Sequence, residues 1–294
     1  MADVSVTALL DTVPLLRKSE SPMPVLFIGH GSPMNALPGN PYFQSWQALG
    51  AMFGAGQRWP RPQLVLCISA HWQTPGTGWW LTAMDKPRTI HDFGNFPQEL
   101  FDLHYPAPGA PQAAGAIAHG VRQRHSQPLG LDASAWGIDH GAWSVLLPMF
   151  PAADIPVVQL SMDTTRPASE HYALARQLGV LRQRGVLVVA SGNIVHNLAL
   201  MQRGTSESQA YDWALEFDHI TGGHIQQGNL DALQNFQKLG SLARMAQPSD
   251  ENYLPLLYAA GTVRGSLQAP VAPVRFFNTN FQGGSISMRS VVWD

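Results

Sequence analysis

The sequence of 294 residues contains one cysteine, few charges and no long hydrophobic run. The single Cys67 excludes a disulfide framework and a thiolate zinc cluster, because both need several cysteines. No apolar stretch approaches the roughly 18 residues of a membrane-spanning helix. The first twenty residues carry their basic side chains late, unlike a signal peptide. We therefore expect a cytoplasmic protein without a membrane partner, in which eleven histidines are the main source of metal or proton chemistry.

Charged residues make up 13% of the chain, about half of the roughly 25% that is typical of globular proteins. The formal net charge is −2, from 18 basic and 20 acidic residues. Binding to nucleic acid needs an excess of Lys and Arg to neutralise phosphates, so we expect no nucleic-acid partner. With so few charges, the surface either uses uncharged polar residues or is partly covered by another subunit. A homo-oligomer is therefore one of the expectations.

Short apolar runs, rich in β-branched residues, are typical of strands that are buried on both faces. They cover residues 25–28, 64–69, 156–160 and 186–190. Helix-like stretches alternate with them, at residues 43–49, 111–124 and 168–184. This order predicts an α/β fold, a single layered domain with a mostly parallel central sheet flanked by helices. Segments 274–277 and 285–292 alternate around a Gly-Gly pair and predict a terminal hairpin or edge strands.

Three histidines follow strand-like runs. His30 follows VLFIG, His71 follows LVLCISA and His196 follows VLVVASGN within NIVHN. The carboxyl ends of parallel strands lie at one edge of a sheet, where ligands of open α/β folds bind. Neutral imidazole is a common ligand of zinc, iron and copper. The pattern therefore predicts a metal site formed by these three histidines.

Other chemistry-bearing side chains lie in two loops. His140, in WGIDHGAW, is a candidate general acid or base, with Asp139 or another acceptor to orient its ring, although an ordinary loop histidine is the alternative. His91 and Phe93 lie in a long loop, 84–111, that is rich in Pro, Gly, His and aromatic residues, and they are candidates for substrate contact. The remaining helix-like histidines are expected at the surface: His119, His125, His171, His219 and His224.

Several familiar motifs are absent from the sequence. It has no GxGxxG, no phosphate-binding loop and no HExxH. GHGSP and ASGN do not match the GxSxG nucleophile elbow. These absences argue against nucleotide binding through the common loops and against hydrolase chemistry of the elbow type.

Seven motifs in order resemble one known family. They are FIGHGSPMNAL, SAHWQTPGTG, TIHDFGNFPQELFDLHYPAPG, WGIDHGAWSVL, VVQLSMD, ASGNIVHNL and NYLPLLYAAG. Together they closely resemble the class III extradiol ring-cleavage dioxygenases, in the branch of DOPA 4,5-dioxygenase. The resemblance covers residues 23–294 and leaves residues 1–22 as an N-terminal extension.

The resemblance implies an α/β catalytic domain related to the catalytic subunit of protocatechuate 4,5-dioxygenase. It implies Fe(II) for activity, with Zn(II) plausible in the same site. The implied reaction cleaves the ring of a small, DOPA-like catechol with O2 and yields a muconic semialdehyde-type product. Carried over motif by motif, His30, His71 and His196 are metal ligands, His196 doubling as an acid-base group. His140 is placed to bond oxygen or substrate and is not expected to be a primary ligand.

One position departs from the family pattern. Relatives typically have a histidine before YLPLLY that contributes to the metal site, whereas this chain has Asn252, preceded by Glu251. Three arrangements are then open: Asn252 still faces the metal, Glu251 replaces the missing ligand, or three histidines alone bind the metal with Asn252 nearby. We favour the third. The change also keeps an alternative function open, that of a metal-binding family member without ring cleavage that acts as a small-molecule binding or regulatory protein.

Overall fold

Four adjacent parallel strands form the centre of the main sheet in the computed structural model, which describes residues 6–123, 127–202, 209–265 and 273–294. Each of the four strands predicted for the parallel sheet is present and begins within one residue of the expected position, whereas the predicted segment 285–292 divides into a two-residue strand and a strand that begins at Ser290. The strands of the described residues are β1 (Val25–Gly29), β2 (Leu64–Gln73), β3 (Trp80–Thr82), β4 (Gly130–Asp132), β5 (Val157–Met162), β6 (Val186–Gly192), β7 (Val274–Phe277), β8 (Phe281–Gln282), β9 (Ile286–Ser287) and β10 (Ser290–Trp293).

The main sheet has the order β4-β3-β5-β2-β6-β1-β10-β7 among the described residues. Strands β5, β2, β6 and β1 run parallel, so that Ile68 of β2 and Phe27 of β1 both pair with Ala190 of β6. At the margins, β3 runs antiparallel to β5, and β10 and β7 continue the sheet antiparallel to β1. The prediction of a mostly parallel central sheet is confirmed, and β7 and β10 are the expected C-terminal edge pair.

Helices cover both faces of this sheet. The described helices are α1 (Val6–Leu10), α2 (Pro41–Gly50), α3 (Gln98–Phe101), α4 (Pro111–Gly120), α5 (His140–Met149), α6 (Ala168–Arg176), α7 (Asp212–Gln226), α8 (Ser241–Ala246) and α9 (Leu254–Gly265). Successive strand residues point to opposite faces, so Phe27 packs on the side of α4, α6 and α9, whereas Leu26 packs on the side of α2 and α5. The result is the predicted single α/β layered domain.

One predicted helix ends earlier than expected, and a second changes type along its length. The stretch 111–124 is helical only to Gly120, because residue Val121 is already extended. The stretch 168–184 is α-helical to Arg176 and continues as a 3₁₀ helix over Gln177–Arg184. Gly185 then ends it with a φ of +68°, a left-handed conformation that suits glycine at the end of a helix.

The N-terminal segment packs against the body of the domain. Leu10, Val13 and Leu16 are buried in the core on the side of α4. Ser19 N–H donates to the carbonyl of Gln183 at 2.7 Å. Whether residues 1–22 act as a separable extension stays a prediction. No helix in the described part of the chain has the length and apolarity needed to cross a membrane.

Candidate active site

Three imidazole rings meet at the carboxyl edge of the parallel strands. His30 directly follows β1, His71 lies near the end of β2, and His140 is the first residue of α5. One ring nitrogen of each lies within 4.8 Å of the others, so the three could hold a metal ion. Their ring centroids are 3.9 Å apart for His71 and His140 and 5.2 Å apart for His30 and His71. His30 and His71 thus come together as predicted.

The carboxylate of Asp92 contacts two of these rings, those of His71 and His140, at their Nδ1 atoms. Its Oδ1 accepts a hydrogen bond from His140 Nδ1 at 2.9 Å, and its Oδ2 lies 3.2 Å from His71 Nδ1. The backbone N–H of His140 also donates to Oδ1 at 2.9 Å. A carboxylate only accepts, so Nδ1 carries the hydrogen in both rings. The Nε2 atoms of His71 and His140 are therefore left for other partners.

A separate hydrogen-bond chain orients His30. Ser191 Oγ donates to the carbonyl of Gly141 at 2.5 Å and lies 3.1 Å from His30 Nδ1. Because the serine hydrogen is used on Gly141, Nδ1 of His30 is the donor to Ser191 Oγ. This leaves Nε2 of His30 with a free lone pair, the form in which imidazole binds a metal.

The Nε2 atoms of His30 and His71 lie 3.3 Å apart. Two lone pairs at this separation repel each other, so the arrangement calls for a cation, a proton or a metal ion. Burial lowers the pKa of His71, but the hydrogen bond to Asp92 and the charges of Asp139 and Asp92 outweigh it and raise that pKa. Burial and the neighbouring rings of His71 and His140 hold the pKa of His30 well below its usual value. The donor set therefore fits a divalent metal.

Helix α5 brings His140 against the other two rings. Asp139 precedes it as the N-cap, accepting from Ala142 N–H at 3.1 Å, and Gln159 Nε2 donates to the other oxygen at 2.8 Å. The ring acceptor of His140 is thus Asp92, not the neighbouring Asp139. A side chain at Gly141 would bring its Cβ within 2.7 Å of His71 Cδ2, so only glycine permits this close approach.

His196 lies four residues beyond β6 and is half-buried, but it is not part of the three-ring cluster. Its backbone N–H donates to the carbonyl of Ala246 at 2.8 Å. Burial lowers the pKa of His196 to about 4, against an opposing effect of Glu251. The predicted ligand set of His30, His71 and His196 therefore differs in one member from the cluster that the structure assembles, in which His140 takes the third place.

Asn252 sits at the carboxyl end of β6. Its carbonyl accepts from Asn193 N–H at 2.9 Å, and a Cβ on Gly192 would collide with that carbonyl. Asn252 Nδ2 donates to Glu251 Oε1 at 3.3 Å, whereas the buried Oδ1 has no hydrogen-bond partner in the described residues. A buried acceptor in this state fits a polar or metal-bound partner.

Comparison with known proteins identifies the family. A model described as the catalytic LigB subunit of aromatic ring-opening dioxygenase matches residues 24–282. The chain belongs to this family. The 4,5-DOPA dioxygenase extradiol of Escherichia coli K12 is 46% identical over 279 residues, which cover 93% of this chain and 95% of that protein. The protein of the same description from Beta vulgaris is 31% identical over 271 residues, covering 90% and 94%.

A solved structure supports the same conclusion. The crystal structure of an uncharacterised protein from Escherichia coli K12 matches with a TM-score of 0.75 and 39% sequence identity, covering 92% of this chain and 100% of that one. The family resemblance of the sequence motifs is confirmed. The protein is a class III extradiol ring-cleavage dioxygenase.

In this dioxygenase, aromatic side chains close one side of the histidine cluster. Phe93 meets the ring of His140 edge to face, with centroids 5.3 Å apart, and the buried Trp143 lies behind it at 6.1 Å. His91 Nε2 donates to the carbonyl of Leu103 at 3.0 Å and so ties the loop together. Phe93 is thus next to the cluster, whereas the nearby His91 has a structural partner. Substrate contact by either residue stays a prediction.

Reasoning from the sequence missed two residues of the site, Asp92 and Ser191. Asp92 stands directly after His91 in the long loop, and an acidic residue among so many histidines was the available signal. Ser191 lies in ASGN, and nothing in the local sequence indicates its contact with His30. Of the histidines expected at the surface, His119 and His219 are exposed, His224 is half-buried and His125 lies outside the described residues. His171 is fully buried, so that expectation was wrong, because α6 turns this side towards α9.

Proposed function

We propose that this extradiol dioxygenase is metal-dependent and cleaves the ring of a small catechol of the DOPA type. The bond broken joins a hydroxylated ring carbon to its neighbour outside the diol. Both atoms of O2 enter the product, a muconic semialdehyde-type compound that carries a new carboxylate and a new aldehyde. The observation that carries the proposal is the pair of facing Nε2 atoms of His30 and His71, in rings whose tautomers Ser191 and Asp92 fix.

His30 and His71 are the first two metal ligands in this proposal. We assign His196 as the third ligand because it follows β6, the strand between β1 and β2. A positive charge on His196 also contributes to the lowered pKa of His30. His140 lies close to the same two rings, so His30, His71 and His140 form a competing ligand set. The metal content of the single variants distinguishes the two sets. A bound divalent metal, Fe(II) for activity and with Zn(II) plausible in the same site, would acidify both catechol hydroxyls and bring the substrate and O2 together.

His140 has the geometry of a general base. Its Nδ1–H is held by Asp92, which fixes the ring and stabilises positive charge on it, as a carboxylate does for a catalytic histidine. The opposite atom, Nε2, is then free to accept a proton from a catechol hydroxyl and to return it to an oxygen of the opening ring. The side chain is only 6% exposed, so bulk water does not compete easily for this proton.

The aromatic loop supplies a dry wall for a planar substrate. Phe93 lies against His140, and Phe101 and Trp143 pack behind it. Apolar rings at this place exclude water and favour the flat face of a catechol. Asn252 Oδ1 adds a hydrogen-bond acceptor near the carboxyl end of β6.

The test is reconstitution of the full chain with Fe(II) without oxygen, followed by L-DOPA in aerated buffer. We expect one O2 consumed for each catechol and the growth of a yellow semialdehyde absorbance. His71→Ala abolishes both signals, whereas His219→Ala, a change at an exposed histidine of α7, leaves them unchanged. A chain that retains Fe(II) yet consumes no O2 with any catechol overturns the proposal.

A further inference from the structure

A cleft of about 380 Å³ opens at the same sheet edge as the histidine cluster. One wall carries Gln73, the last residue of β2, and Arg166, from the loop that follows β5. The facing wall carries Asp250 and Glu251, from the short 3₁₀ turn before α9. The cleft thus has a cationic side and an acidic side.

This cleft is adjacent to the proposed metal centre. Gln73 follows His71 by two residues on an extended strand, a Cα separation of roughly 7 Å. The 3₁₀ turn Asp250–Asn252 contacts both β2 and β6, which bring His71 and His196 to the sheet edge. The Glu251 carboxylate acts electrostatically on both of these histidines. A substituent a few bonds long on a ring held at the centre would extend towards this cleft.

Arg166 is held in place by a buried carboxylate. Its Nε donates to Asp163 Oδ2 at 3.1 Å, and Asp163, itself 0% exposed, also accepts from the backbone N–H groups of Gly76 and Gly78 at 2.8 and 3.1 Å. The Arg166 side chain is 28% exposed, and in the described residues no acceptor bonds its two terminal nitrogens. A planar pair of donors is thus fixed in position and available.

The acidic wall is also oriented. Glu251 Oε1 accepts from Ser249 Oγ at 3.0 Å and from Asn252 Nδ2 at 3.3 Å, and Gln237 Nε2 donates to Asp250. Arg166 is the one cationic side chain among the described residues that line the cleft. Separated charges of opposite sign, both oriented by neighbours, suit a ligand group that itself carries both signs.

We propose that this cleft binds the zwitterionic tail of a catechol amino acid. Arg166 pairs with the α-carboxylate, whose two oxygens match the guanidinium fork, and Glu251 pairs with the α-ammonium group. The inference rests on the proposed function and deepens it, because it makes Arg166 and Glu251 the residues that select a catechol amino acid over an unsubstituted catechol. Neither residue takes part in ring cleavage.

The experiment compares Fe(II)-loaded wild type and Arg166→Met on four catechols. L-DOPA carries both charges, 3,4-dihydroxyphenylpropionate only the carboxylate, dopamine only the ammonium group and 4-methylcatechol neither. Losing a charge-assisted pair weakens binding roughly 10- to 100-fold. In Arg166→Met we expect the kcat/KM for L-DOPA, divided by that for 4-methylcatechol, to fall by this factor, mainly because KM rises. The corresponding ratio for 3,4-dihydroxyphenylpropionate should fall in the same way.

Glu251→Gln tests the opposite wall and should lower the ratio of dopamine to 4-methylcatechol instead. Arg264→Met is the matched control, since Arg264 pairs with Asp231 outside the cleft and its loss should leave every ratio unchanged. Wild type with L-DOPA methyl ester, which lacks the carboxylate charge, needs no variant and should show the same loss as Arg166→Met.

Two negative results are distinguishable. If wild type cleaves all four catechols and neither Arg166→Met nor the methyl ester changes the L-DOPA ratio, the cleft does not bind the carboxylate, and the proposed function stands. If Fe(II)-loaded wild type cleaves none of the catechols, the proposed function fails and this inference fails with it.

Discussion

Asp92 Oδ1 accepts two hydrogen bonds from His140, one from its backbone N–H and one from its ring Nδ1, each at 2.9 Å. The same carboxylate reaches His71 Nδ1 through Oδ2. Burial raises the pKa of Asp92, but the hydrogen bonds to His140 and His71 outweigh it and hold the carboxyl well below its usual range. One ionised side chain in a long loop therefore orients two rings of the site.

Replacing this carboxylate tests that role. Asp92→Asn leaves one acceptor oxygen and presents an NH2 group to a ring N–H, so one of the two histidines loses its orientation. We expect metal affinity to fall roughly 10- to 100-fold, the usual effect of removing a carboxylate behind a metal-bound histidine, together with slower turnover. Metal content and kcat are measured side by side. Asp102→Asn, in the same loop, is the control, and equal metal affinity in both variants would contradict the assignment.

Measuring bound metal in two variants decides whether His196 or His140 is the third metal ligand. We expect His196→Ala to lose bound metal, whereas His140→Ala keeps metal near the wild-type level and slows turnover roughly 10²- to 10⁴-fold, the range for a positioned acid or base. The measurement is the molar metal content after identical Fe(II) loading and desalting. Loss of metal in His140→Ala with retention in His196→Ala would instead make the three-ring cluster the ligand set.

The sequence predicts the fold well because it does so through two local patterns, the apolar strand runs and the histidines at their ends. Buried parallel strands such as β1 and β6 are continuous apolar runs, and the histidines that follow them mark the sheet edge. Helix ends were less predictable, since the 3₁₀ continuation after Arg176 depends on how residues 177–184 pack against α9.

The missing site residues depend on contacts between distant segments. Asp92 acquires its role only because the long loop folds over α5, 48 residues away in the chain, and brings a carboxylate to His140. His171 looks like a surface histidine because Glu170 precedes it, yet the packing of α6 on α9 buries its ring. Neither arrangement has a signature in local composition.

Position 252 offers a gain-of-function test. Replacing Asn252 by histidine restores a nitrogen donor in place of an amide oxygen, which is a weaker ligand for iron or zinc. We expect Asn252→His to lower the metal dissociation constant about tenfold, equivalent to about 1.4 kcal/mol. Competitive chelator titration of both proteins at one pH gives the comparison, since protons compete with the metal for histidine. Equal affinities would show that position 252 does not face the metal.

The buried His171 makes the stability of the chain sensitive to acid. Tyr258 donates its hydroxyl hydrogen to His171 Nδ1 at 2.7 Å and accepts from Trp79 Nε1 at 2.6 Å. Burial lowers the pKa of His171 to about 4, and the charge of Asp163 with backbone acceptors at Asp163 and Arg166 opposes this only in part. The ring is therefore neutral in the folded chain at pH values where an unfolded histidine already binds a proton.

Because the folded-state pKa lies below the unfolded value of about 6.5, this contribution to stability is complete above pH 6.5 and is lost as pH falls towards 4. The full loss is about 3 kcal/mol, at 1.36 kcal/mol for each unit of pKa shift. His171→Phe removes the titrating group, so its free energy of unfolding should fall less steeply between pH 6.5 and 4.5. Urea unfolding of metal-free wild type and variant measures the two slopes, with His219→Phe, at an exposed site on α7, as the control. Parallel slopes for wild type and His171→Phe would show that His171 accepts its proton without unfolding the chain.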